Sequence, residues 1–204
     1  MIDNQVAISR KEVTGIGGHL ALDFANTAGW HLAPSPIERL SSWQDVIRWA
    51  EQSHIIDPSA AQLLARELHR TDKIIQLRED VFALALAAAR GAEADAQALK
   101  RVSAAAEQRG PHAVAGAGFL RWALEPPEAD KQLATLLARS ALDLLCSANA
   151  ARIRLCEGGE CGWVFIDESR SGRRRWCSMT DCGARAKARR HYQRARVSHS
   201  STRS

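Results

Sequence analysis

What the sequence lacks excludes several classes of protein. Its longest uninterrupted apolar run, residues 81–89, has nine residues, whereas a membrane-spanning helix needs about 20, so we expect no membrane association. The first residues contain neither a basic leader nor a following apolar stretch, so we expect no secretory signal and a cytoplasmic location. In the cytoplasm, paired cysteines more often bind a metal or take part in catalysis than form disulfides.

The signatures of several enzyme classes are also missing. The sequence contains no Walker A motif, no dinucleotide-binding glycine pattern and no His-Glu-x-x-His motif. No nucleophile can be paired with a neighbouring base. We therefore expect a protein that is not an enzyme.

Charge and cysteine are distributed unevenly along the 204 residues. Residues 1–150 carry 15 basic and 18 acidic side chains, whereas residues 151–204 carry 13 basic and 5 acidic ones. Four of the five cysteines lie in this second, basic part. The sequence therefore predicts a domain of residues 1–150, a cysteine-bearing module of residues 151–196 and a disordered tail of residues 197–204.

The first part has the apolar spacing and the capping residues of helices. Ser42 followed by Asp45 predicts one capped helix start, and Asp57 followed by Pro58 predicts another. The sequence therefore predicts a mainly α domain with a small β-hairpin. Further helices are predicted over residues 72–90, 93–109 and 128–149, and the hairpin over residues 112–115 and 119–124.

One polar cluster in the first part suggests a ligand site. At helical spacing, His19, Asp23 and Asn26 share one face, which predicts a pocket for a small-molecule effector or a substrate. The alternative is that these groups satisfy backbone groups at a loop and a helix start. The second interpretation is favoured, because no nucleophile–base pair accompanies the cluster.

The cysteines of the second part form two pairs. Cys156 and Cys161 are followed after fifteen residues by Cys177 and Cys182, and each pair can close a short loop. Four thiolates satisfy the tetrahedral coordination that a structural zinc ion prefers. Two disulfides and an iron–sulfur cluster are the alternatives, disfavoured by the compartment and by the spacing respectively. The sequence therefore predicts one structural zinc ion.

The residues around the cysteines predict a hairpin and a helix. Trp163, Phe165 and Asp167 alternate with Val164 and Ile166 as in a strand, and residues 173–177 are predicted as the returning strand. Trp163 and Trp176 are expected in the small core beside the zinc. The following helix, from residue 183 to about residue 196, has a narrow stripe of Ala184, Ala188, His191 and Ala195 that is expected to pack against the hairpin.

Residues 169–196 contain ten basic side chains and one acidic side chain. A cationic helix beside an arginine-rich strand is typical of a phosphate-binding surface. A solvated basic face is the alternative, and two or three arginines could instead donate hydrogen bonds to zinc-bound sulfur. The sequence favours binding of nucleic acid, with double-stranded DNA as the expected partner, through Arg173, Arg174, Arg175, Arg185, Lys187, Arg189, Arg190 and Arg194. RNA or a protein partner remains an alternative.

These residues resemble the CGNR zinc finger family. The similarity runs from Cys161-Gly-Trp-Val-Phe-Ile-Asp-Glu-Ser-Arg through Arg174-Arg-Trp-Cys to Cys182-Gly-Ala-Arg. Ala184 departs from the motif, which usually has Asn there, and the helical wheel predicts that this position faces the hairpin. The stretch Leu20-Ala-Leu-Asp-Phe-Ala-Asn-Thr is similar to the ABATE domain that commonly precedes this finger in bacterial stress-related regulators. The resemblance implies a transcription regulator whose first domain senses an effector or forms a homodimer.

Overall fold

The computed structural model describes residues 15–66, 69–116 and 118–200, with side chains described up to residue 194. The described residues form a mainly α structure with three two-stranded antiparallel sheets. The helices are α1 (Leu20–Ala25), α2 (Trp43–Gln52), α3 (Pro58–Leu64), α4 (Asp72–Arg90), α5 (Ala96–Ala106), α6 (Ala129–Leu145) and α7 (Ala184–Ser200). The paired strands are β1 (Ala28–Gly29) with β2 (Ile37–Glu38), β3 (His112–Ala115) with β4 (Leu120–Ala123), and β5 (Ile153–Leu155) with β6 (Val164–Ile166).

The predicted helix starts are confirmed at two places. Ser42 and Asp45 form a reciprocal capping box at the start of α2, which satisfies backbone N–H groups that the first turn leaves unpaired. The side chain of Asp57 accepts a hydrogen bond from the backbone N–H of Ala60 at the start of α3. The predicted hairpin between α5 and α6 is also confirmed: β3 pairs antiparallel with β4, from His112 opposite Ala123 to Ala115 opposite Leu120.

The core is built around α4, which contacts α1, α5, α6 and β5. Its buried face includes Leu77, Val81 and Leu84, which pack with Leu133 and Leu137 of α6 in one cluster. Burial of this apolar surface is the main contribution to the stability of such a fold. Among the described residues, no helix combines the length and the apolar composition that crossing a membrane requires.

The basic part is attached to this core through the β5–β6 pair. Ile153, Val164 and Ile166 are buried in the same cluster as the helices of the first part, and both strands contact α4. The packing is therefore continuous across residue 150, where the charge of the sequence changes sign.

The hairpin of the basic part differs from the predicted one. Strand β6 pairs with β5, which precedes the first cysteine, and residues 173–177 do not form a strand. The buried carboxylate of Asp167 explains the difference, because it accepts hydrogen bonds from the backbone N–H groups of Ser169 and Arg174, at 2.9 and 3.0 Å. These bonds hold the segment after β6 in an irregular turn, in which Arg174 donates to backbone carbonyls.

Helix α7 also differs from the expectation. Ala184, Ala188 and His191 are exposed, so the predicted packing of this stripe against the hairpin is wrong for the residues whose side chains are described. The helix follows a turn of π-helix over Met179–Gly183 and contacts mainly that turn. It continues to Ser200, four residues beyond the predicted end of the module, and residues 201–204 of the predicted tail lie outside the described residues.

Candidate metal centre and its basic surroundings

The four predicted cysteine ligands lie together in the fold. All four sulfur atoms are within 4.8 Å of one another, and all four residues are buried. The Sγ atoms of Cys161 and Cys177 are 3.8 Å apart, and those of Cys177 and Cys182 are 3.6 Å apart. The fifth cysteine, Cys146, is exposed and does not belong to the cluster.

Two short loops bring the sulfur atoms to one point. Cys156 directly follows β5, and its backbone N–H donates to the carbonyl of Trp163 at 2.8 Å, which closes the first loop. Gly158 is required inside this loop, because a Cβ atom at this position would lie 2.8 Å from the Cys182 sulfur. Cys177 lies at the end of the irregular segment, and Cys182 lies in the π-helical turn that follows it.

This geometry fits a zinc ion. Four sulfur ligands at about 2.3 Å from a tetrahedral centre stand about 3.8 Å from one another, close to the two separations given above. All four thiols are free, so the structure contains no disulfide between them. Mutual hydrogen bonds with Cys161, Cys177 and Cys182 lower the pKa of Cys156, whereas the hydrogen bonds with Cys156, Cys161 and Cys182 raise the pKa of Cys177. A bound cation would remove this competition by stabilising four thiolates together.

Arg185 lies beside the cluster and is engaged by it. Its Nη2 atom donates a hydrogen bond to Cys182 Sγ at 2.9 Å, and its Nη1 atom pairs with the carboxylate of Asp181. The guanidinium also lies over the ring of Trp30, 5.2 Å from its centroid. Arg185, predicted as a nucleic-acid contact, therefore has its side chain engaged by Cys182 and Asp181 and by Trp30 of the first part of the chain.

Two of the three arginines in the 173–175 segment are engaged in a similar way. Arg174 donates to the carbonyls of Trp176 and Cys177 and lies 4.2 Å from the ring centroid of Phe165. Arg175 bonds to the carboxylate of Glu157 at 2.7 Å. Arg173 is exposed, and its side chain makes no ion pair or hydrogen bond with the described residues.

Four other cations of α7 form a different group. Lys187, Arg189, Arg190 and Arg194 are all exposed, and no acidic side chain in the described part of the chain pairs with them. Among the described residues, these four side chains make one hydrogen bond, from Arg190 Nε to the carbonyl of Ala186 within the same helix, at 3.4 Å. The structure thus separates basic residues that stabilise the cysteine module from basic residues that face solvent.

The loop after α1 forms the other wall of the metal centre. The backbone N–H of His31 donates to the carbonyl of Cys161 at 3.2 Å, and Trp163 Nε1 donates to the carbonyl of Ala28 at 3.0 Å. Arg39 lies over the Trp163 ring at 5.4 Å. Sequence reasoning missed this wall, because no local pattern links residues 28–39 to cysteines more than 110 positions away.

The polar cluster of the first part serves the backbone instead of converging on one pocket. Asp23 accepts the N–H groups of Gly15 and Gly17, each at 2.7 Å, and burial raises its pKa although these hydrogen bonds oppose the shift. The Asn26 amide donates to the carbonyl of Val164 and accepts its N–H, both at 2.9 Å. His19 accepts from the N–H of Ala21 at the start of α1. These contacts match the second interpretation of the cluster, and His19 alone of the three also lines a described cavity.

Comparisons with known proteins agree with the two parts of the chain. The model of the ABATE family, described as "Putative stress-induced transcription regulator", matches residues 18–148. The model of the CGNR zinc finger matches residues 152–195, which include all four clustered cysteines. A search of curated proteins finds no match. The cysteine cluster is therefore the zinc-binding site of a CGNR finger.

Proposed function

This chain belongs to the ABATE family and carries a CGNR zinc finger, and we propose that it regulates transcription by binding double-stranded DNA through α7. In this proposal the protein is not an enzyme. It acts in the cytoplasm, where reduced thiols keep the four-cysteine zinc site intact.

The observation that carries the proposal is the division of the basic residues. Arg174, Arg175 and Arg185 are held by carbonyl, carboxylate and sulfur acceptors of the module. Lys187, Arg189, Arg190 and Arg194 of α7 are exposed, and their one hydrogen bond among the described residues is the bond of Arg190 to the Ala186 carbonyl within the helix. A structural role accounts for the first group, whereas phosphate binding accounts for the second.

The faces of α7 fit the major groove. At 3.6 residues per turn, Lys187, Arg190 and Arg194 lie within about 60° of arc on one side of the helix, and Arg189 lies on the opposite side. Between these cationic sides is the exposed stripe that contains Ala184, Ala188 and His191. Small side chains would let the helix axis approach the base edges, while the cations on both sides reach the two phosphate backbones.

The zinc ion would have a positioning role in this arrangement. Cys177 lies just before the turn from which α7 begins and Cys182 lies within it, and Arg185 joins the first turn of α7 to a ligand sulfur. Cys156, Cys161, Cys177 and Cys182 would hold the metal, and the metal would fix the direction in which α7 leaves the core.

Fluorescence anisotropy of the zinc-loaded full chain with a random DNA duplex tests the proposal. Measured at several salt concentrations, the slope of log affinity against log salt falls by about 0.9 for each phosphate neutralised. We expect a slope of about −3 or steeper, as four exposed cations of α7 and Arg173 allow. The absence of binding at low salt, or a preference for single-stranded RNA over the duplex, would contradict the proposal.

A further inference from the structure

A cavity of about 350 Å³ lies in the first part of the chain, between α1, β4, α6 and the loop after α2. Its volume is in the range of about 300–1,000 Å³ that small organic ligands occupy in proteins. Leu20, Ile55 and Leu136 provide apolar lining, and Trp122, a residue that is 45% exposed, also lines the cavity. His19, Arg139 and Asp143 add polar groups to the same wall.

Two charged side chains of this cavity differ in whether they already have hydrogen-bond partners in the protein. Arg139 donates to the carbonyls of Ala106 and Gln108, at 2.9 and 3.0 Å, so its guanidinium is committed to the end of α5. Asp143 is exposed, and no hydrogen bond or ion pair to its carboxylate is present among the described residues. Arg139 and Asp143 thus give the lining one positive and one negative charge, but the Asp143 carboxylate, beside the Trp122 ring, is the one whose hydrogen-bonding atoms have no partner among the described residues.

His19 has a defined role in the same cavity. Its Nδ1 atom accepts the N–H of Ala21 at 3.3 Å, so the neutral imidazole carries its hydrogen on Nε2. Burial lowers the pKa of His19, although the charge of Asp143 opposes the shift. Burial therefore favours the neutral imidazole, which offers one N–H donor without adding positive charge.

We propose that this cavity binds a small organic ammonium compound with an aromatic body. The ammonium group would lie against the carboxylate of Asp143, and the aromatic body against Trp122 and the apolar wall. Because the Arg139 donors are turned to backbone carbonyls, the Asp143 carboxylate is the charged group left to pair with a ligand, and an ammonium compound should bind more tightly than an anionic compound of equal shape.

Helix α1 connects this cavity to the zinc finger. His19 lies at the cavity, directly before α1, whereas Asn26, directly after α1, holds both backbone groups of Val164 in β6. The carbonyl of Gly17 also accepts the N–H of Ile166 in the same strand, at 2.9 Å. A ligand that fixes α1 would therefore also fix β6, which directly follows the loop of Cys161. Control of DNA binding by this route rests on the proposed function, whereas ligand binding itself does not.

Calorimetric titration of the zinc-loaded full chain with three indole compounds tests the proposal. Tryptamine carries an ammonium group, tryptophol a neutral hydroxyl and indole-3-propionate a carboxylate on a similar aromatic body. We expect tryptamine to bind one site per chain, and the other two to bind at least ten-fold more weakly. No binding of tryptamine at millimolar concentration, or equal binding of the carboxylate, would overturn the proposal.

Two matched variants locate the site. Asp143→Asn should weaken tryptamine binding about ten-fold and leave the weak binding of tryptophol unchanged. Asp130→Asn, on the same helix but outside the cavity lining, should change neither. Both aspartates are at least partly exposed, so we expect both variants to fold. Tryptamine binding that is unaffected by Asp143→Asn would also overturn the proposal.

The rate of zinc release tests whether ligand binding in the cavity affects the zinc finger through α1. Tryptamine should slow the release of zinc to a chelator several-fold in the original chain, and it should have no effect on zinc release in Asp143→Asn. Binding of tryptamine without any change in zinc release would overturn the connection while leaving the binding site in place. Neither measurement uses DNA, so failure of the proposed DNA binding would be seen separately.

Discussion

Arg185 Nη2 donates a hydrogen bond to the sulfur of Cys182 at 2.9 Å, three residues before it in the same turn. The arginine that closes the Cys-Gly-Ala-Arg stretch therefore belongs to the environment of the metal, and not to the solvent-exposed cations of α7. Its contact with the Trp30 ring extends this environment into the first part of the chain. The metal centre thus joins the two parts that charge and cysteine content separate in the sequence.

Arg185→Ala should weaken zinc binding. Residues that hydrogen-bond to metal ligands typically contribute 10- to 100-fold in metal affinity, so we expect zinc to leave the variant about ten-fold faster when a chelator is added. Arg189→Ala, which removes an exposed cation four residues later, is the matched control and should leave zinc release unchanged. Equal release rates in the two variants would show that the bond to sulfur contributes nothing.

Cys177→Ser should abolish stoichiometric zinc binding. Cys177 lies within hydrogen-bond distance of two other sulfur atoms of the cluster, and its loss leaves three thiolates for an ion that prefers four ligands. We expect less than a tenth of one zinc per chain by atomic absorption, and loss of the ordered start of α7. Cys146→Ser, in the exposed cysteine outside the cluster, should retain one zinc per chain. Full zinc content in the Cys177→Ser protein would contradict the assignment.

The triple variant Lys187→Ala, Arg190→Ala and Arg194→Ala should weaken DNA binding and its dependence on salt. Three phosphate contacts account for about 2.7 of the salt slope, so the slope should become shallower by about that amount. Circular dichroism should show α7 retained, because alanine favours helix. The control is a triple alanine variant of Lys73, Arg90 and Lys100, which removes the same charge from exposed positions on α4 and α5. It should bind DNA with the affinity and the salt dependence of the unsubstituted protein. An equal loss in both variants would indicate that net charge alone attracts the DNA.

The sequence predicts the metal ligands because their spacing is a local property, and all four come together as expected. It predicts the helix starts for the same reason, since a capping box such as that of Ser42 needs only neighbouring residues. The partner of β6 could not be predicted in this way. The three residues of β5 carry little pattern of their own, and the segment predicted to pair with β6 is instead bonded to the side chain of Asp167.

Side chains that act over long sequence separation are the second group that local reasoning missed. The helical wheel places Ala184 and Ala188 on one face, but it does not show whether that face meets the core or the solvent. The direction of α7 is decided by the turn at Met179–Gly183 and by Arg185. The role of Asn26 depends in the same way on a strand that lies 138 residues later.

Asn26→Ala should destabilise the connection between α1 and the zinc finger. Asn26 is fully buried, and its loss leaves the carbonyl and the N–H of Val164 without these partners. Each unsatisfied buried group costs about 1–3 kcal/mol, so we expect the free energy of unfolding to fall by about 2 kcal/mol or more in urea titrations. Asn149→Ala, at an exposed position, is the control and should stay within about 0.5 kcal/mol of the original. Equal stability of the two variants would contradict the role of Asn26.

Glu79 should contribute a pH-dependent part of the stability. Burial alone would raise its pKa, but hydrogen bonds and charge from His31 and Arg78 lower it to about 2. A carboxyl group whose pKa is lower in the folded state stabilises the fold above its unfolded pKa of about 4.3, and this contribution is lost as the pH falls from about 4.3 towards 2. The side chain of Glu79 is 42% exposed, so solvent screening reduces the effect.

Comparison of the original chain with Glu79→Gln measures this contribution directly. The difference in free energy of unfolding should be largest at pH 6 and should shrink as the pH is lowered to 3, because the neutral glutamine resembles the protonated acid. Loss of zinc in acid affects both proteins and largely cancels in the difference. Glu107→Gln, at the exposed end of α5, should show no comparable trend. A difference for Glu79→Gln that stays constant from pH 3 to pH 6 would show that the charge of Glu79 is not what holds His31 and the loop beside Cys161 in place.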